Sequence, residues 1–399
     1  AVRKEIKSMK VLYINSHLAY ADDGSGVHAR EFVKWAARLG AQIATYPHVS
    51  RQPIRVNKRL RAIRRRLPPS VGEMLIYARE RVLANRRRRA VLELTAGFRP
   101  DVVLTRSVPF DFLGLWIARR LGIPCVLEAN GVIGTDQAEM FGRAILPLMR
   151  REELRQWQNV DQIIALSSLL RTIITESGID SGKIHVVPLG YDHEMFSPLV
   201  SGRKVRNRYE LAGKKILGFV GNVGQWHGPD EMARIFAEVV RAMDDVHLLI
   251  VGADDDRDSL AKGMCSQRIE PERVIQIGNI PFADVPEHIA AFDAALFYES
   301  RERPFSSPIK VFEYMGSGKA TIGPDKGQCP ELFAGGRGVL ARHCNPDSFI
   351  QTAIELLKQD DRRREIGRRA AQRARSNYTW EHKAERVLRI CREATDHRQ

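Results

Sequence analysis

The sequence lacks a long hydrophobic run. None of its 399 residues falls in a stretch that approaches the roughly 18 consecutive apolar residues of a membrane-spanning helix. The first eight residues also lack the apolar core of a secretory signal, so Met9 is the expected native start. These absences argue against a membrane-spanning protein and against a secreted one.

Cysteine is scarce, and its spacing fits no metal or redox motif. The five thiols lie far apart, at Cys125, Cys265, Cys329, Cys344 and Cys391. Because no two of them have the spacing of a zinc site or a redox-active pair, they are expected to be buried or inert. This predicts a cytoplasmic protein, since such thiols persist in a reducing compartment.

Nothing in the composition suggests disorder. Hydrophobic residues make up 44% and charged residues 28% of the chain, as in globular proteins. A chain of this length exceeds what one hydrophobic core usually supports, so two domains are predicted. The net charge of +15 is concentrated in 51–89, which hold fourteen Arg or Lys and only two Glu. We call 51–89 the basic block.

Six short apolar runs alternate with helical patterns in each half of the chain, which predicts two Rossmann-like, doubly wound α/β domains. The N-terminal domain is expected at 9–191, with a basic helical insertion at about 51–95. A linker follows at 192–204, and the second domain covers 205–378. The final segment, 379–399, reads as a C-terminal amphipathic helix.

One segment, 306–319, combines the features of a ligand site. Two serines and Pro308 precede a helical pattern in which Glu313 stands among apolar residues, and two glycines follow. A carboxylate on an apolar face needs donor groups as partners, since burying it unpaired is costly. The hydroxyls of a sugar or ribose would serve, and the amides at the start of the helix are suited to a phosphate.

This segment resembles the donor site of retaining GT-B glycosyltransferases of the GT4, glycogen-synthase-like family, in the form SPxKxFEYM. The resemblance covers about 10–380. It implies a GT-B fold, in which two Rossmann-like domains face each other across a cleft, and transfer of a sugar from a nucleotide diphosphate. The donor-binding residues that it implies are Gly221, Asn222, Trp226, His227, Gly278, Ile280, Phe305, Ser306, Ser307, Pro308, Ile309 and Glu313.

The glycine loop after the first strand of the second half departs from the family at two places. The family usually has arginine and lysine where this chain has Asn222 and His227. Lys310 is therefore the expected source of positive charge on the diphosphate, with Arg301 and Arg303 behind it. The alternative is that Lys310 is a solvated lysine on a loop.

In the first half, Asn130 stands where many family members have a histidine that contacts the donor sugar. An amide can hydrogen-bond a sugar hydroxyl but cannot transfer a proton at neutral pH. Nearby Glu128 is open to a functional or a structural interpretation.

The resemblance also places Gly24, Ser25 and Gly26 in a loop across the cleft from the donor diphosphate. His28, a lone histidine at a helix start, is expected to be a surface or capping residue.

The second carboxylate that many family members use is absent, because Phe305 occupies its position. Retention of configuration then implies attack on the same face of the sugar, with the leaving phosphate accepting the proton of the acceptor. No Asp-x-Asp metal loop stands in a suitable place, so neither a metal nor another cofactor is expected. The predicted catalytic residues are Lys310, Glu313 and Asn130.

The basic block is denser in charge than solubility requires, and its arginines alternate with apolar residues at helical spacing. This favours contact with an anionic membrane surface at the inner face of the membrane, and an acceptor that is lipid-linked or an anionic glycan. The patch expected to make that contact comprises Arg64, Arg65, Arg66, Arg86, Arg87, Arg88 and Arg89.

Other functions stay open. The acceptor could be a small soluble molecule such as a secondary metabolite. A GT-B epimerase or phosphorylase would use the same donor site differently. A nucleic-acid-binding protein would account for the basic block, but no aromatic interleaving or recognition motif accompanies its arginines.

Overall fold

The structure is a computed structural model of the chain, and it describes 8–15, 24–47, 85–108, 111–132, 146–223, 227–252, 257–300 and 307–398. The chain divides into two compact units. The first comprises 1–188, 305–307 and 380–399, and the second comprises 189–304 and 308–379.

The first unit contains six parallel strands in the order β2-β1-β3-β4-β5-β6. The strands are β1 Lys10–Ile14, β2 Gln42–Tyr46, β3 Val102–Arg106, β4 Cys125–Ala129, β5 Gln162–Ala165 and β6 Ile184–Val186. Residues 85–98 are helical, and the further helices are α1 Gly24–Arg38, α2 Leu113–Leu121, α3 Leu146–Asn159 and α4 Ser168–Glu176. Strands β3 and β4 are buried along their whole length, as expected for parallel strands with both faces covered.

The second unit also contains six parallel strands, in the order β9-β8-β7-β10-β11-β12. The strands are β7 Lys215–Val220, β8 Val246–Val251, β9 Val274–Ile277, β10 Ala294–Leu296, β11 Ala320–Pro324 and β12 Val339–Ala341. The helices are α5 Arg203–Arg208, α6 Pro229–Ala242, α7 Arg257–Ser266, α8 Val285–Ala290, α9 Ile309–Gly316, α10 Cys329–Phe333, α11 Pro346–Leu357 and α12 Asp360–Asn377. The two doubly wound α/β sheets predicted from the sequence are therefore confirmed.

Local sequence signals account for several helix starts. The Oγ atom of Ser167 accepts a hydrogen bond from the Leu170 amide and so caps α4. The Oδ1 atom of Asn345 caps α11 in the same way, and Pro346 follows at the first helical position. These caps satisfy amide groups that have no partner inside the helix.

The last helix, α13 Trp380–Asp396, packs on the first unit, against α1 and strands β3, β4 and β5. The predicted linker, 192–204, differs from what the structure shows, because these residues lie inside the second unit. Asp192 and Phe196 are buried there, so apolar packing rather than a free connection fixes this segment.

Gly24, Ser25 and Gly26 do not form the predicted loop, because they make the first turn of α1. The helix therefore begins about one turn before its apolar periodicity.

An ion pair buried in the first unit joins α13 to β4. The Lys383 Nζ atom donates to the Glu128 Oε1 atom at 2.7 Å, and both side chains are 3% exposed or less. Burial alone would raise the pKa of Glu128, but His28, Lys383 and Arg106 hold it well below its usual value. Glu128 is thus an ionised carboxylate inside the first unit.

Within the described ranges, no helix combines the length and apolar character needed to cross a bilayer. All five cysteines are free thiols. Cys125, Cys329 and Cys391 are buried, and burial raises the pKa of each of these three thiols.

We predict that Lys383→Met lowers the free energy of unfolding by about 3 kcal/mol, because it removes the cation that is hydrogen-bonded to the buried Glu128 carboxylate. Methionine keeps the length of the side chain, so lost packing adds little. Denaturant unfolding of the full chain measures the change. Arg389→Met, at a half-exposed position on the same helix, is the control and should change the free energy by no more than about 0.5 kcal/mol. Equal midpoints for the two variants would contradict the prediction.

Candidate active site

The candidate site lies at the carboxyl ends of β7 and β10, where the strand order of the second sheet changes direction. Ligands of open α/β sheets bind at such a switch point. Gly221 follows β7, and Tyr298 and Glu299 follow β10. Helix α9 carries Lys310 and Glu313 to the same place.

Gly221 is required by close packing. Its φ is +127°, and a Cβ atom there would lie 2.7 Å from the Lys310 Nζ atom. A Cβ atom at Gly252, at the end of β8, would lie 2.3 Å from the Gly221 carbonyl oxygen. Two glycines thus let the loop after β7 approach the lysine without a side chain between them.

Lys310 contacts an imidazole and an aromatic face. Its Nζ atom lies 2.9 Å from the His227 Nε2 atom and 4.2 Å from the ring centroid of Phe219. The His227 Nδ1 atom lies 2.5 Å from the Tyr298 carbonyl oxygen, which can only accept. The imidazole therefore carries its proton on Nδ1, and its Nε2 atom accepts from the ammonium.

No carboxylate of the described residues lies within ion-pair distance of the Lys310 Nζ atom. Burial lowers the pKa of Lys310 to about 7, although Glu299 and Glu313 act in the opposite direction. A cation with an aromatic face and a neutral imidazole around it is suited to an anionic ligand.

Glu313 lies one turn after Lys310 and is 6% exposed. Its carboxylate makes no hydrogen bond or ion pair with any residue that the structure describes. Burial raises the pKa of Glu313 to about 7, and Lys310 opposes this rise. Its next neighbour, Tyr314, is fixed by a hydrogen bond from the Val220 amide to its hydroxyl at 2.7 Å. This bond holds α9 against the end of β7.

The structure brings together only some of the predicted donor-binding residues. Gly221, His227, Lys310 and Glu313 form one cluster, and Lys310 is not the solvated lysine of the alternative interpretation. Helix α9 begins at Ile309, and Ser307 and Pro308 directly precede it.

The remaining predicted donor residues differ in where the structure places them. Asn222 directly follows Gly221 in the loop after β7 and is exposed. Gly278 and Ile280 follow β9, two strands from β7 and therefore about 10 Å across the sheet. Three predicted residues, and the two arginines expected behind Lys310, lie outside the described residues: Trp226, Phe305, Ser306, Arg301 and Arg303.

In the first unit, Asn130 follows β4. Its Nδ2 atom makes a long contact of 3.4 Å with the Glu128 carbonyl oxygen. Its Oδ1 atom is buried and has no partner among the residues that the structure describes. The amide therefore keeps an acceptor available among the described residues, and its contact with a donor sugar stays a prediction.

The expectation that His28 is a surface or capping residue is wrong, because this side chain is 1% exposed. Its Nε2 atom lies 3.1 Å from the Glu128 Oε1 atom, and its ring stacks on Trp380 at 5.5 Å. Burial lowers the pKa of His28 to about 4, so the ring is neutral at pH 7. Glu128 is thus engaged inside the first unit by His28 and Lys383.

The predicted arginine patch is divided by the structure. Arg86 and Arg89 are exposed on the helical residues 85–98. Arg87 lies 4.0 Å from the Asp111 carboxylate, and the guanidinium of Arg88 lies 5.0 Å from the Trp116 ring centroid. These two arginines contact the protein itself. Arg64, Arg65 and Arg66 lie outside the described residues.

Sequence reasoning missed Phe219, Glu299 and Lys383. Phe219 and Glu299 lie on neighbouring strands or just beyond them, and only the strand order shows that they are close. Lys383 left a signal, since it lies four residues before Val387 on the apolar side of α13.

Two family models match the chain: Glycosyltransferase Family 4 at 23–195 and Glycosyl transferase-like at 225–389. The chain belongs to the GT4-type glycosyltransferases. The first model covers most of the first unit, and the second covers most of the second unit, including the cluster around Lys310.

Curated relatives are similar at low identity. Spore coat protein SA of Bacillus subtilis (strain 168) is 23% identical over 58% of this chain and 65% of its own length. The D-inositol 3-phosphate glycosyltransferase of Segniliparus rotundus is 27% identical over 71% and 64%. A GDP-mannose-dependent alpha-mannosyltransferase of Mycobacterium tuberculosis is 28% identical over 61% and 60%. This GT4-type chain thus spans less than two thirds of the length of each of these three relatives.

Solved structures confirm the GT-B fold. Anabaena HepE in complex with UDP-glucose matches 96% of this chain and 98% of its own, with a TM-score of 0.70 and 15% identity. Sucrose-phosphate synthase from Thermosynechococcus elongatus matches with the same coverage, TM-score and identity. At this identity the likeness shows the fold alone.

We predict that the affinity of Glu313→Gln for a nucleotide-sugar falls as the pH rises through 7, by at most about tenfold per pH unit, because the ammonium of Lys310, whose pKa is about 7, is lost in this range. In the wild type, ionisation of Glu313 over the same range favours hydroxyl binding and opposes this fall, so the wild-type profile should be flatter. Calorimetric titration between pH 6 and 8.5 measures the change. A nucleotide-sugar is preferred to a free nucleoside diphosphate, because its diphosphate does not titrate there. Lys310→Gln with Glu313→Gln should bind more weakly and show no fall, whereas Lys358→Gln should behave as the wild type. A flat profile in Glu313→Gln would contradict the prediction.

Proposed function

We propose that the protein is a retaining glycosyltransferase that moves a sugar from a nucleotide-diphosphate-sugar to an acceptor without a metal ion. One observation carries the proposal: the loop at Gly221, the ammonium of Lys310 and the carboxylate of Glu313 converge at the switch point of the second sheet. The cation and the side-chain-free loop suit a diphosphate, and the carboxylate suits the hydroxyls of a ribose or a sugar.

The charge state of the cluster supports binding of this ligand. Before binding, burial brings the pKa values of Lys310 and Glu313 both to about 7. A diphosphate beside Lys310 favours its ammonium, and donor hydroxyls beside Glu313 favour its carboxylate. Binding therefore completes the ionisation of both groups. The same ammonium then stabilises the charge that develops on the leaving diphosphate.

Retention of configuration is proposed from the family resemblance, and same-face attack is proposed because Phe305 cannot serve as a nucleophile. In the proposed step, the bond from the anomeric carbon to the diphosphate oxygen breaks, and the acceptor oxygen bonds to that carbon on the same face. The leaving phosphate oxygen takes the acceptor proton. The Asn130 Oδ1 atom has no partner among the described residues, and the family resemblance leads us to propose that it orients a hydroxyl of the donor sugar.

The nucleotide is not fixed by these residues. Names of the similar proteins speak of GDP-mannose and of UDP-glucose. We propose that the base lies towards Gly278 and Ile280, since about 10 Å separates the end of β9 from that of β7. A screen of UDP-, GDP-, ADP- and dTDP-sugars, read by thermal shift and hydrolysis, identifies the donor.

We predict that Glu313→Gln lowers kcat/KM for the donor by about ten- to a hundredfold, because a charged acceptor for hydroxyl groups is lost. The variant should keep or raise its melting temperature, since burial already disfavours the carboxylate. Donor hydrolysis and thermal unfolding are measured on the same samples. Glu355→Gln, at an exposed position of α11, is the control. Normal turnover in Glu313→Gln would remove this residue from the site.

Metal independence has its own test. We predict that transfer or donor hydrolysis persists in excess EDTA, because Lys310 and the backbone amides of the site meet the charge of the diphosphate. Activity is measured before and after chelation and then with added magnesium or manganese. Loss of activity on chelation, followed by recovery with either metal, would show that Lys310 and the backbone amides do not neutralise the diphosphate without a metal ion.

For the acceptor, we propose a lipid-linked or anionic molecule presented at a membrane surface. The basic block supports this proposal, and Arg86 and Arg89 are exposed within it. Two relatives are named for inositol 3-phosphate and for phosphatidylinositol monomannoside. A small soluble acceptor is the competing function, and it requires no contribution from the exposed arginines.

We predict that the protein sediments with anionic vesicles at low salt and that binding weakens as salt screens the charges. Each cation near the surface contributes about 1 kcal/mol. Arg86→Gln with Arg89→Gln should weaken sedimentation and spare donor hydrolysis. Arg119→Gln with Arg120→Gln, on the exposed end of α2, is the matched control. If the wild type does not bind anionic vesicles at low salt, a soluble acceptor is favoured.

A further inference from the structure

A pocket away from the candidate active site lies on the second unit. It has a volume of about 330 Å³ and lies between the turn at Gly335 and the last turns of α12. Six of its seven lining residues are exposed, so the pocket is an open surface groove. Its walls are polar: guanidinium, amide and hydroxyl groups line it, from Arg337, Arg369, Gln372, Arg373, Ser376 and Asn377.

Positive charge dominates the pocket. Three guanidinium groups line it, and a carboxylate next to it, that of Glu365, is shared between Arg368 and Arg369. Neither Arg337 nor Arg373 forms an ion pair with any residue that the structure describes. The Nε atom of Arg337 is buried and has no hydrogen-bond partner in the described ranges. A buried donor of this kind calls for an acceptor.

The turn is shaped to leave room beside the arginines. Gly335 and Gly336 have φ values of +73° and +71°, which disfavour other residues. A Cβ atom at Gly336 would lie 3.1 Å from the Arg369 Nη1 atom, and one at Gly335 would lie 3.6 Å from the Arg337 Cζ atom. Side chains there would fill the space in front of the guanidinium groups.

We propose that this pocket binds a phosphate monoester. Three guanidinium groups less one shared carboxylate match a dianion, and guanidinium forks bind phosphate oxygens in pairs. The hydroxyl of Ser376 and the amides of Gln372 and Asn377 supply hydrogen bonds for the rest of a small polar ligand. Helix α12 also packs on α9, so the ligand contacts a helix that lies against the one carrying Lys310 and Glu313.

The test uses ribose 5-phosphate as the probe and unphosphorylated ribose as its control, with the full chain in equilibrium dialysis. The wild type should bind the phosphate ester and ignore ribose. Arg337→Gln with Arg373→Gln should weaken binding by about tenfold or more. Arg362→Gln with Arg364→Gln makes the same change of charge on exposed positions of α12 and should have no effect.

Lys310→Gln separates this pocket from the donor site. Binding that is lost in Lys310→Gln, or kept in the variant of Arg337 and Arg373, would overturn the proposal. Failure of the wild type to bind both ribose 5-phosphate at millimolar concentrations and vesicles of phosphatidic acid would do the same. Vesicles of phosphatidic acid distinguish the source of the phosphate. If the wild type binds these vesicles but not ribose 5-phosphate, and the variant of Arg337 and Arg373 binds neither, the ligand is a lipid headgroup.

Discussion

The candidate site depends on Lys310, a partly buried cation with no carboxylate of a described residue at ion-pair distance. Its ammonium contacts the ring of Phe219 and the imidazole of His227. Neither neighbour carries a negative charge, so much of the cost of desolvation stays uncompensated and the pKa falls to about 7. An anionic ligand beside Lys310 would offset this cost and raise its pKa again. Under the proposed function, the fold of the second unit thus holds a cation available to an anionic substrate group.

His227 stands where the family usually has a lysine, and the structure shows what this residue contacts instead. The sequence shows only that the usual lysine is missing at this position. In the structure, the imidazole accepts from Lys310 and is itself oriented by the Tyr298 carbonyl group. Under the proposed function, the positive charge at the diphosphate comes from Lys310 at the start of α9, and His227 contacts its ammonium. The sequence could predict the replacement by Lys310, because the motif around Glu313 fixes a helix, but not the contact between the two residues.

Sequence patterns predicted most of the architecture and less of its interior. Strand and helix positions follow from local periodicity, and the segment around Glu313 marked the site. His28 was misread because its burial depends on Trp380 and Glu128, which are far away in the chain. The arginine patch was also overread, since charge density does not show which arginines face solvent. Pairings between distant segments are outside the reach of local patterns.

The return of α13 to the first unit has a consequence for synthesis on the ribosome. Residues 8–188 emerge first, with Glu128 already inside their sheet, but Lys383 is translated about two hundred residues later. At typical elongation rates, this delay lasts roughly 10–40 s. During that time the carboxylate has no ammonium to pair with, and the surface that α13 will cover is exposed. The first unit to be made is therefore the last to be completed, and a chain that terminates early leaves it unfinished.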